Sequence, residues 1–317
     1  MQAQAVVFNN PRSLKVETLE LAEPGVGEVE VSVEYSAIST GTERLLWDGS
    51  MPSFPGMGYP LVPGYETVGK VVRCGAGTSL KEGERVFVPG ANCLLGVRSL
   101  FGGSASRLVV PQSRTVTVEA ALGERAVLLA LAATAYHAVA GGGQGDPHAP
   151  PDLIIGHGVM GRLLARLTVA AGCALPTVWE ISPNRQGGAE GYSVIHPDDD
   201  PRHDYKAIYD VSGDPAILDR VIPRLAPGGE VVLAGFYNQP LSFLFAPAFM
   251  REAHIRAAAE WKKPDLLAVT ELAHDGRLSL DGLITHTEVP AHASSAYEVA
   301  FGDSNCLKML LDWRYHA

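Results

Sequence analysis

The chain has 317 residues, of which 46% are hydrophobic and 19% are charged, and its formal net charge at pH 7 is −10. This length predicts two domains. The acidic balance argues against a general nucleic-acid binder, because no basic stripe is available to neutralise phosphates. No apolar run reaches the roughly 18 residues of a membrane-spanning helix, and no signal-peptide pattern opens the sequence. We therefore expect a cytoplasmic protein.

The four cysteines are spread along the chain and form no CxxC pair: they are Cys74, Cys93, Cys173 and Cys306. Such spacing fits neither a disulfide framework nor a zinc ribbon.

The first 120 or so residues predict short strands. Residues 3–8 have the composition of a first strand, and residues 28–34 alternate polar and apolar side chains, which is typical of a half-buried strand. Residues 84–88 and 106–110 are similar short segments between turn-forming residues. The pattern predicts a β-rich barrel over residues 1–123.

The pattern changes near Leu122. Residues 124–140 have helical spacing, and from Asp152 onward buried apolar strands alternate with helical segments. This alternation predicts βαβ units and a parallel sheet; the predicted strands are 153–155, 177–180, 207–211 and 230–234. After about Lys263 comes a helix over 265–275 and then a mixed pattern.

We therefore predict an α/β chain in which a Rossmann doubly wound parallel sheet interrupts a β-rich catalytic domain. The catalytic domain is expected to comprise residues 1–123 and 264–317, and the Rossmann domain residues 124–263.

A glycine motif at residues 156–161 predicts a dinucleotide site. Its residues are Gly156, His157, Gly158, Val159, Met160 and Gly161, in the pattern GxGxxG. The motif follows an apolar strand and precedes a helical stretch. In that setting the first glycine permits a tight turn and the second lets the backbone approach a pyrophosphate. The third allows close contact between helix and strand, with the phosphate at the helix N-terminus. The alternative is a Gly-rich turn without a ligand.

Glu180, at the end of the next strand, predicts NAD as the cofactor. A carboxylate there accepts hydrogen bonds from the adenosine ribose hydroxyls and repels a 2′-phosphate. Arg185 could favour a phosphate, but after Glu180 we expect it near the adenine. We also expect cofactor contacts from Thr134, Ser212 and Gly213.

Two further segments resemble the medium-chain dehydrogenase/reductase superfamily. Residues 63–69, PGYETVG, look like its PGHExxG segment, and residues 40–43, TGTE, look like its Cys-Gly-Thr-Asp segment. The resemblance implies a GroES-like catalytic domain. In zinc-dependent members the Cys and His of these segments bind the catalytic metal, whereas this chain has Thr40 and Tyr65, with Ala130 at the third ligand position. A zinc site needs about three protein ligands, so we expect no catalytic zinc and a zinc-free branch of the family.

The resemblance narrows to the zinc-free hydroxyethyl-bacteriochlorophyllide dehydrogenases of bacteriochlorophyll biosynthesis, a pathway of photosynthesis. Similar segments run over essentially the full length, at residues 39–43, 54–66, 88–93, 130–135, 281–286 and 306–309. That family is understood to oxidise the 3-(1-hydroxyethyl) side chain of a bacteriochlorophyllide to acetyl with NAD⁺. The resemblance therefore implies a tetrapyrrole substrate and the cofactor NAD. Peripheral contact with photosynthetic membranes and a homodimer stay open.

Without zinc, the alcohol proton requires another acceptor. Tyr65 is the leading candidate, because it replaces a ligand that faces the catalytic cleft in the family. As a base its phenol would need a pKa below the reference of about 10. Thr40 could orient the hydroxyl or relay its proton, and Glu66 could organise the polar surroundings. His137 is an alternative base. The alternatives are that Tyr65 fills an empty metal pocket, that Thr40 or Thr42 caps a helix and that His137 is packed in its helix.

Aromatic and Met side chains in residues 47–65 predict a wall for a flat apolar ligand. The candidates are Trp47, Phe54, Met57 and Tyr59. The alternative is that they pack a loop onto the barrel.

Two other functions stay open at this point. One is a zinc-free quinone or enoyl reductase, a class that usually favours NADPH, so Glu180 argues against it. The other is a non-catalytic NAD-binding protein that kept the fold after losing zinc.

Overall fold

The structure is a computed structural model, and it describes residues 1–53, 55–99, 101–140 and 149–315. The chain divides into two compact units. Unit 1 comprises Met1–Ala130 and Asp281–Ala317, and unit 2 comprises Leu131–Leu280. The chain therefore leaves unit 1, forms unit 2 and returns to unit 1.

Unit 1 is built on two mainly antiparallel sheets, in which the last two strands of the chain pair in parallel. Strands β1 (Gln2–Asn10) and β2 (Ser13–Glu20) form a hairpin. The unit also contains a seven-stranded sheet, whose strands are β3 (Glu28–Ile38), β4 (Thr67–Cys74), β5 (Arg85–Val88), β6 (Arg107–Pro111), β7 (Val116–Thr117), β14 (His286–Glu288) and β15 (Met309–Asp312). In this sheet, the long strand β3 pairs with β4, β6 and β15.

The period-2 pattern of β3 decides which side chains enter the core of unit 1. Val29, Val31 and Val33 are buried there, as the alternation predicts. Helices α1 (Thr42–Asp48) and α8 (Ala293–Gly302) belong to the same unit. It also contains 3-10 helices at Gln112–Arg114, Ala120–Leu128 and Pro290–His292.

Unit 2 contains a six-stranded parallel sheet in the order β10-β9-β8-β11-β12-β13. This is the doubly wound order, with the switch point between β8 and β11, and it confirms the predicted Rossmann fold. The strands are β8 (Leu153–Ile155), β9 (Thr177–Trp179), β10 (Ser193–Ile195), β11 (Tyr205–Asp210), β12 (Leu225–Leu233) and β13 (His254–Ala257).

The α-helices of unit 2 include α3, which directly follows the glycine motif. They are α2 (Leu129–Ala140), α3 (Val159–Ala170), α4 (Pro183–Gln186), α5 (Ile217–Val221), α6 (Phe245–Arg251) and α7 (Lys263–His274), with 3-10 helices at Pro197–Asp199 and Ile222–Arg224. Where the structure describes the chain, no helix has the length and apolarity to cross a membrane.

The chain passes from unit 1 to unit 2 after Ala130 and returns after Leu280. Both positions lie later in the chain than the predicted domain boundaries, 123/124 and 263/264. The predicted helix over 124–140 is divided, because a 3-10 helix occupies Ala120–Leu128 and buries Leu122 and Val127 before α2 begins. Helix α7 belongs to unit 2, where Asp265 contacts His137 of α2 at 2.7 Å.

Candidate functional site

The glycine motif forms a tight turn between β8 and α3, which we call the cofactor turn (residues 156–161). Gly156 has φ +101°, a backbone conformation that favours glycine. A Cβ on Gly161 would lie 1.9 Å from the Gly156 carbonyl oxygen, so only glycine permits this helix–strand contact. A Cβ on Gly158 would meet open space. Gly158 also begins α3 without a side-chain cap, so the helix N-terminus is open to a phosphate group.

Glu180 follows β9 and is held beside the cofactor turn. Its two carboxylate oxygens accept backbone N–H groups from His157 at 3.0 Å and from Ser182 at 2.7 Å. Only 7% of its surface is exposed. A carboxylate has about four acceptor positions, so these two bonds fix the group and leave capacity for a ligand's hydroxyl groups.

His157 and Arg162 fasten the segment after β9 to the cofactor turn. His157 is fully buried, and burial lowers its pKa to about 4, so the ring is neutral at pH 7. Its Nδ1 lies 2.6 Å from the Arg185 carbonyl, and its Nε2 lies 2.8 Å from the Tyr192 hydroxyl. Arg162 donates to the carbonyls of His157, Arg185, Gly187 and Gly188.

The other predicted cofactor residues lie in two places. Ser212 and Gly213 follow β11, and Ser212 is a neighbour of Gly156, since a Cβ on Gly156 would be in van der Waals contact with the Ser212 Cα at 3.6 Å. The Ser212 hydroxyl donates to Asp210 at 2.7 Å. Thr134 is half-buried in α2. Val159 is buried in the first turn of α3, and its neighbour Met160 is half-buried.

In unit 1, the segment between β3 and α1 meets the segment before β4 in a set of hydroxyl and charged side chains. We call this the polar cluster; its members are Ser39, Glu43, Tyr65, Glu66, Tyr297 and Lys308. The Tyr65 hydroxyl lies 2.5 Å from the Ser39 Oγ. Burial raises the pKa of Tyr65 above its usual 10, and the charge of Glu66 raises it further, while hydrogen bonds with Ser39 and Thr42 oppose the shift.

This pKa corrects one expectation. A phenolate base would need a lowered pKa, whereas Tyr65 is half-buried beside two carboxyl groups, so its neutral form is favoured. Tyr65 is therefore a neutral hydroxyl that can accept and donate hydrogen bonds.

Glu66 and Lys308 form an ion pair inside unit 1. Glu66 is fully buried and Lys308 is 1% exposed. The Lys308 Nζ lies 2.9 and 2.8 Å from the two carboxylate oxygens, and it also donates to the Ile38 carbonyl at 3.2 Å. Burial raises the pKa of Glu66, and Lys308 opposes that shift.

Glu43 is a second fully buried carboxyl group in the cluster. Its Oε2 accepts the Tyr297 hydroxyl at 2.9 Å, whereas its Oε1 has no hydrogen-bond partner among the described residues. Burial raises the pKa of Glu43 to about 8; the nearby Glu66 also raises it, and Tyr297 and Lys308 oppose the shift. Glu43 is thus mainly protonated at pH 7.

The donor set in unit 1 does not fit a catalytic zinc. The two positions that resemble metal-ligand positions carry the Thr40 hydroxyl and the neutral Tyr65 phenol, and the methyl side chain of the buried Ala130 cannot bind a metal. Zinc sites use thiolate, imidazole and carboxylate ligands. Across the described ranges, no three His, Cys, Asp or Glu side chains are grouped so that they could hold a metal ion.

Thr40 and His137 have different surroundings. Thr40 is half-buried directly before α1, whose N-cap is Gly41, and the helix has no side-chain cap. His137 lies in unit 2, where its Nδ1 is 2.7 Å from Asp265, a side chain that also accepts the Lys262 backbone N–H at the start of α7. This contact gives His137 a structural partner, and its catalytic role stays a prediction.

The predicted substrate wall is in part engaged in internal packing. The ring centroids of Trp47 and Phe301 lie 5.6 Å apart, and the Tyr59 hydroxyl donates a hydrogen bond to the Leu46 carbonyl. Met57 packs against the core of unit 1. Phe54 lies outside the described residues.

Several residues of these sites were not predicted. Ser39 directly precedes Thr40, and Glu43 and Lys308 lie in segments that carry the family resemblance, so their positions offered a signal. Tyr297 and Phe101, whose ring lies 5.0 Å from that of Tyr65, gave none.

Comparison with known proteins agrees with this architecture. Residues 25–120 match the alcohol dehydrogenase GroES-like domain family, which confirms the predicted class of the β-rich unit. The chain is 54% identical over 315 residues to the 2-desacetyl-2-hydroxyethyl bacteriochlorophyllide A dehydrogenase of Rhodobacter capsulatus, covering 99% of each chain. It is 53% identical over 319 residues to the protein of the same name from Cereibacter sphaeroides, again covering 99% of each.

A solved structure shares the fold. It is the rspB alcohol dehydrogenase of Escherichia coli CFT073 complexed with NADH, with a TM-score of 0.81, 23% identity, and coverage of 98% of this chain and 99% of that one. The chain therefore belongs to the medium-chain dehydrogenase/reductase superfamily, in the family that contains the two bacteriochlorophyllide dehydrogenases, and it is an oxidoreductase.

Proposed function

We propose that this protein oxidises the 3-(1-hydroxyethyl) side chain of a bacteriochlorophyllide to a 3-acetyl group, with NAD⁺ and without catalytic zinc. The proposed substrate is supported by the identity of 54% over nearly all of a dehydrogenase named for it. The mechanism rests on one observation: the Tyr65 hydroxyl lies 2.5 Å from the Ser39 Oγ, at a position that resembles a metal-ligand position.

NAD is the proposed cofactor, and unit 2 has the residues to hold it. Gly156, Gly158 and Gly161 give the pyrophosphate access to the N-terminus of α3. Glu180, already fixed by two backbone N–H groups, would accept the adenosine ribose hydroxyls and repel a 2′-phosphate. Bound NAD⁺ supplies the hydride acceptor. The preference for NAD over NADP is part of the proposal.

The proposed reaction releases a hydride and a proton from the alcohol. The carbinol C–H bond breaks and its electron pair leaves with the hydrogen, while the O–H bond breaks and its electrons form the carbonyl π bond. In this proposal the proton passes to the Tyr65 oxygen as Tyr65 releases its own proton to the Ser39 Oγ, and Ser39 in turn releases its hydroxyl proton to water. The products are the acetyl pigment, the reduced dinucleotide and one proton.

A neutral proton acceptor is sufficient if the hydride leaves before the proton. The carbinol carbon is attached directly to a conjugated macrocycle, so positive charge that develops there spreads into the ring. The hydroxyl group becomes strongly acidic as the hydride leaves, and a neutral phenol or water can then take its proton. This order removes the need for the metal that normally acidifies the alcohol. Thr40, half-buried beside α1, would orient the hydroxyl group.

The test is the reaction itself. Purified protein, hydroxyethyl bacteriochlorophyllide and NAD⁺ should give NADH and a pigment that has lost two hydrogen atoms, with the absorption change of a new conjugated carbonyl. NADH and acetyl pigment should form in equal amounts. Absence of both products under conditions in which the Rhodobacter capsulatus relative turns over would refute the proposed function.

Two subsidiary proposals concern assembly and location. A homodimer is supported by β13, which has one sheet neighbour, β12, among the described strands, and by exposed side chains near it, of which Phe249 and Met250 are 67% and 76% exposed. We propose a cytoplasmic location, and peripheral membrane contact stays a prediction that sedimentation with and without vesicles would test.

A further inference from the structure

We infer that Phe101 is a substrate-positioning residue, whose exposed ring stacks on the flat face of the macrocycle beside the Tyr65 hydroxyl. This inference rests on the proposed function and adds a specificity-determining residue to it. Phe101 lies in the segment between β5 and β6, outside the motifs that carry the family resemblance.

The first observation is exposure. The Phe101 side chain is 38% exposed, whereas Phe8 and Phe87 of the same unit are fully buried. An aromatic ring left in water forgoes the burial that normally stabilises it. A flat apolar ligand would cover that surface.

The second observation is position. The ring centroids of Phe101 and Tyr65 lie 5.0 Å apart, with an angle of 64° between the ring planes. The two rings meet edge to face, so Phe101 is a direct neighbour of the Tyr65 phenol. A macrocycle stacked on Phe101 would therefore bring a substituent at its edge toward the Tyr65 hydroxyl.

The third observation is a strained backbone that is held in place. Phe101 has φ +70°, a left-handed conformation that is costly for a bulky side chain. The Phe101 carbonyl accepts the Ala91 N–H at 2.6 Å, and Gly102 and Gly103 donate to the Val62 and Gly64 carbonyls at 3.2 and 2.7 Å. These bonds fix the segment alongside the residues that lead into Tyr65.

The strain also permits a clean test, because glycine adopts this φ freely. Phe101→Gly removes the ring and relieves the backbone at once, so the relieved strain offsets part of the lost packing, and a melting curve beside the wild type checks that the variant is folded. Phe101→Trp keeps a flat ring. Leu95→Ala is the matched control, because it truncates another exposed apolar side chain of unit 1, one 55% exposed.

The experiment measures binding of the 3-acetyl pigment by quenching of tryptophan fluorescence, and binding of NAD⁺ by calorimetry. We expect Phe101→Gly to weaken pigment binding about tenfold, in the range that stacking on an aromatic side chain provides, and to leave the NAD⁺ affinity unchanged. Phe101→Trp and Leu95→Ala should bind the pigment within about twofold of the wild type. In turnover, Phe101→Gly should raise KM by a similar factor and change kcat less.

Each other outcome has a defined meaning. If the wild type binds and oxidises the pigment and Phe101→Gly binds it equally well, the inference is wrong and the proposed function stands. If Phe101→Gly loses kcat with unchanged pigment affinity, the ring acts only by packing on Tyr65, which also overturns the inference. If the wild type binds no tetrapyrrole, the proposed function itself fails.

Discussion

The cofactor turn and the polar cluster stabilise buried charged side chains in different ways. Next to the cofactor turn, Glu180 accepts hydrogen bonds from backbone N–H groups, and Arg162 donates to backbone carbonyls. These backbone groups carry no net charge, but they satisfy the hydrogen-bonding capacity of the two side chains. In the polar cluster, Glu66 depends on Lys308, and Glu43 retains an oxygen without a partner among the described residues. The first arrangement holds its charged side chains in a fixed geometry, which suits ligand recognition. In the second arrangement, the pKa values of Glu43 and Glu66 depend on burial and on the neighbouring charged groups.

The comparison predicts that stability depends on pH through Glu43. In the unfolded chain this carboxyl ionises near its usual 4.5, and in the folded protein its pKa is about 8. Between these pH values the folded state keeps a proton that the unfolded state has lost, so the free energy of unfolding falls as pH rises through this range. The group is fully buried, and its contribution over the whole interval is on the order of 5 kcal/mol.

Denaturant unfolding at several pH values, with Glu43→Gln beside the wild type, measures this effect. The Gln side chain cannot ionise, so the variant should lose stability less steeply between pH 4.5 and 8. The exposed control Glu82→Gln should follow the wild type. Equal slopes for wild type and Glu43→Gln would show that Glu43 does not carry the dependence.

The ion pair of the polar cluster should be costly to break from one side. Lys308→Met leaves Glu66 buried without its cation, which should lower the free energy of unfolding by about 3–5 kcal/mol. The double variant Glu66→Gln/Lys308→Met should recover much of that loss. In unit 2, Arg202 pairs with Asp152 but is 39% exposed, so Arg202→Met should cost about 1 kcal/mol or less. Similar losses for both single variants would remove the distinction between the two regions.

The cofactor turn should show its effect in affinity. Wild-type protein should bind NAD⁺ at least 100-fold more tightly than NADP⁺, a difference of about 2.7 kcal/mol, because Glu180 would face the 2′-phosphate. Glu180→Ala should bring the two affinities within about tenfold. Glu190, a carboxylate of the same unit that pairs with Arg166, provides the control Glu190→Ala, which should keep the preference. Equal wild-type affinities for the two dinucleotides would contradict this reading of Glu180.

The same difference explains what could be predicted from the sequence. The cofactor turn is local: one strand, three glycines and the start of one helix determine its backbone, and Glu180 follows the next strand. The polar cluster joins distant segments, and Glu66 and Lys308 are 242 residues apart in the sequence. No local pattern places two such residues together. The direction of the Tyr65 pKa could not be predicted either, because it depends on burial and on Glu66.

The helices and strands could be predicted where burial leaves a clear pattern in the sequence, and less well elsewhere. The buried run of β8 and the alternation in β3 gave the correct strands, because burial on two faces or one leaves a clear pattern. The helix predicted over 124–140 is divided at Leu129 because its first part packs as a 3-10 helix in unit 1. Apolar spacing alone does not distinguish such a segment from the first turns of α2.

The most direct test of the central claim is turnover by metal-free protein. Protein dialysed against a strong chelator, with less than about 0.05 zinc per chain by elemental analysis, should oxidise hydroxyethyl bacteriochlorophyllide with NAD⁺ at the untreated rate. Tyr65→Phe should lower kcat about 100-fold, within the usual range for a group that transfers a proton, and should keep NAD⁺ affinity. Activity that disappears with the metal and returns with added zinc would contradict the account, as would full activity of Tyr65→Phe.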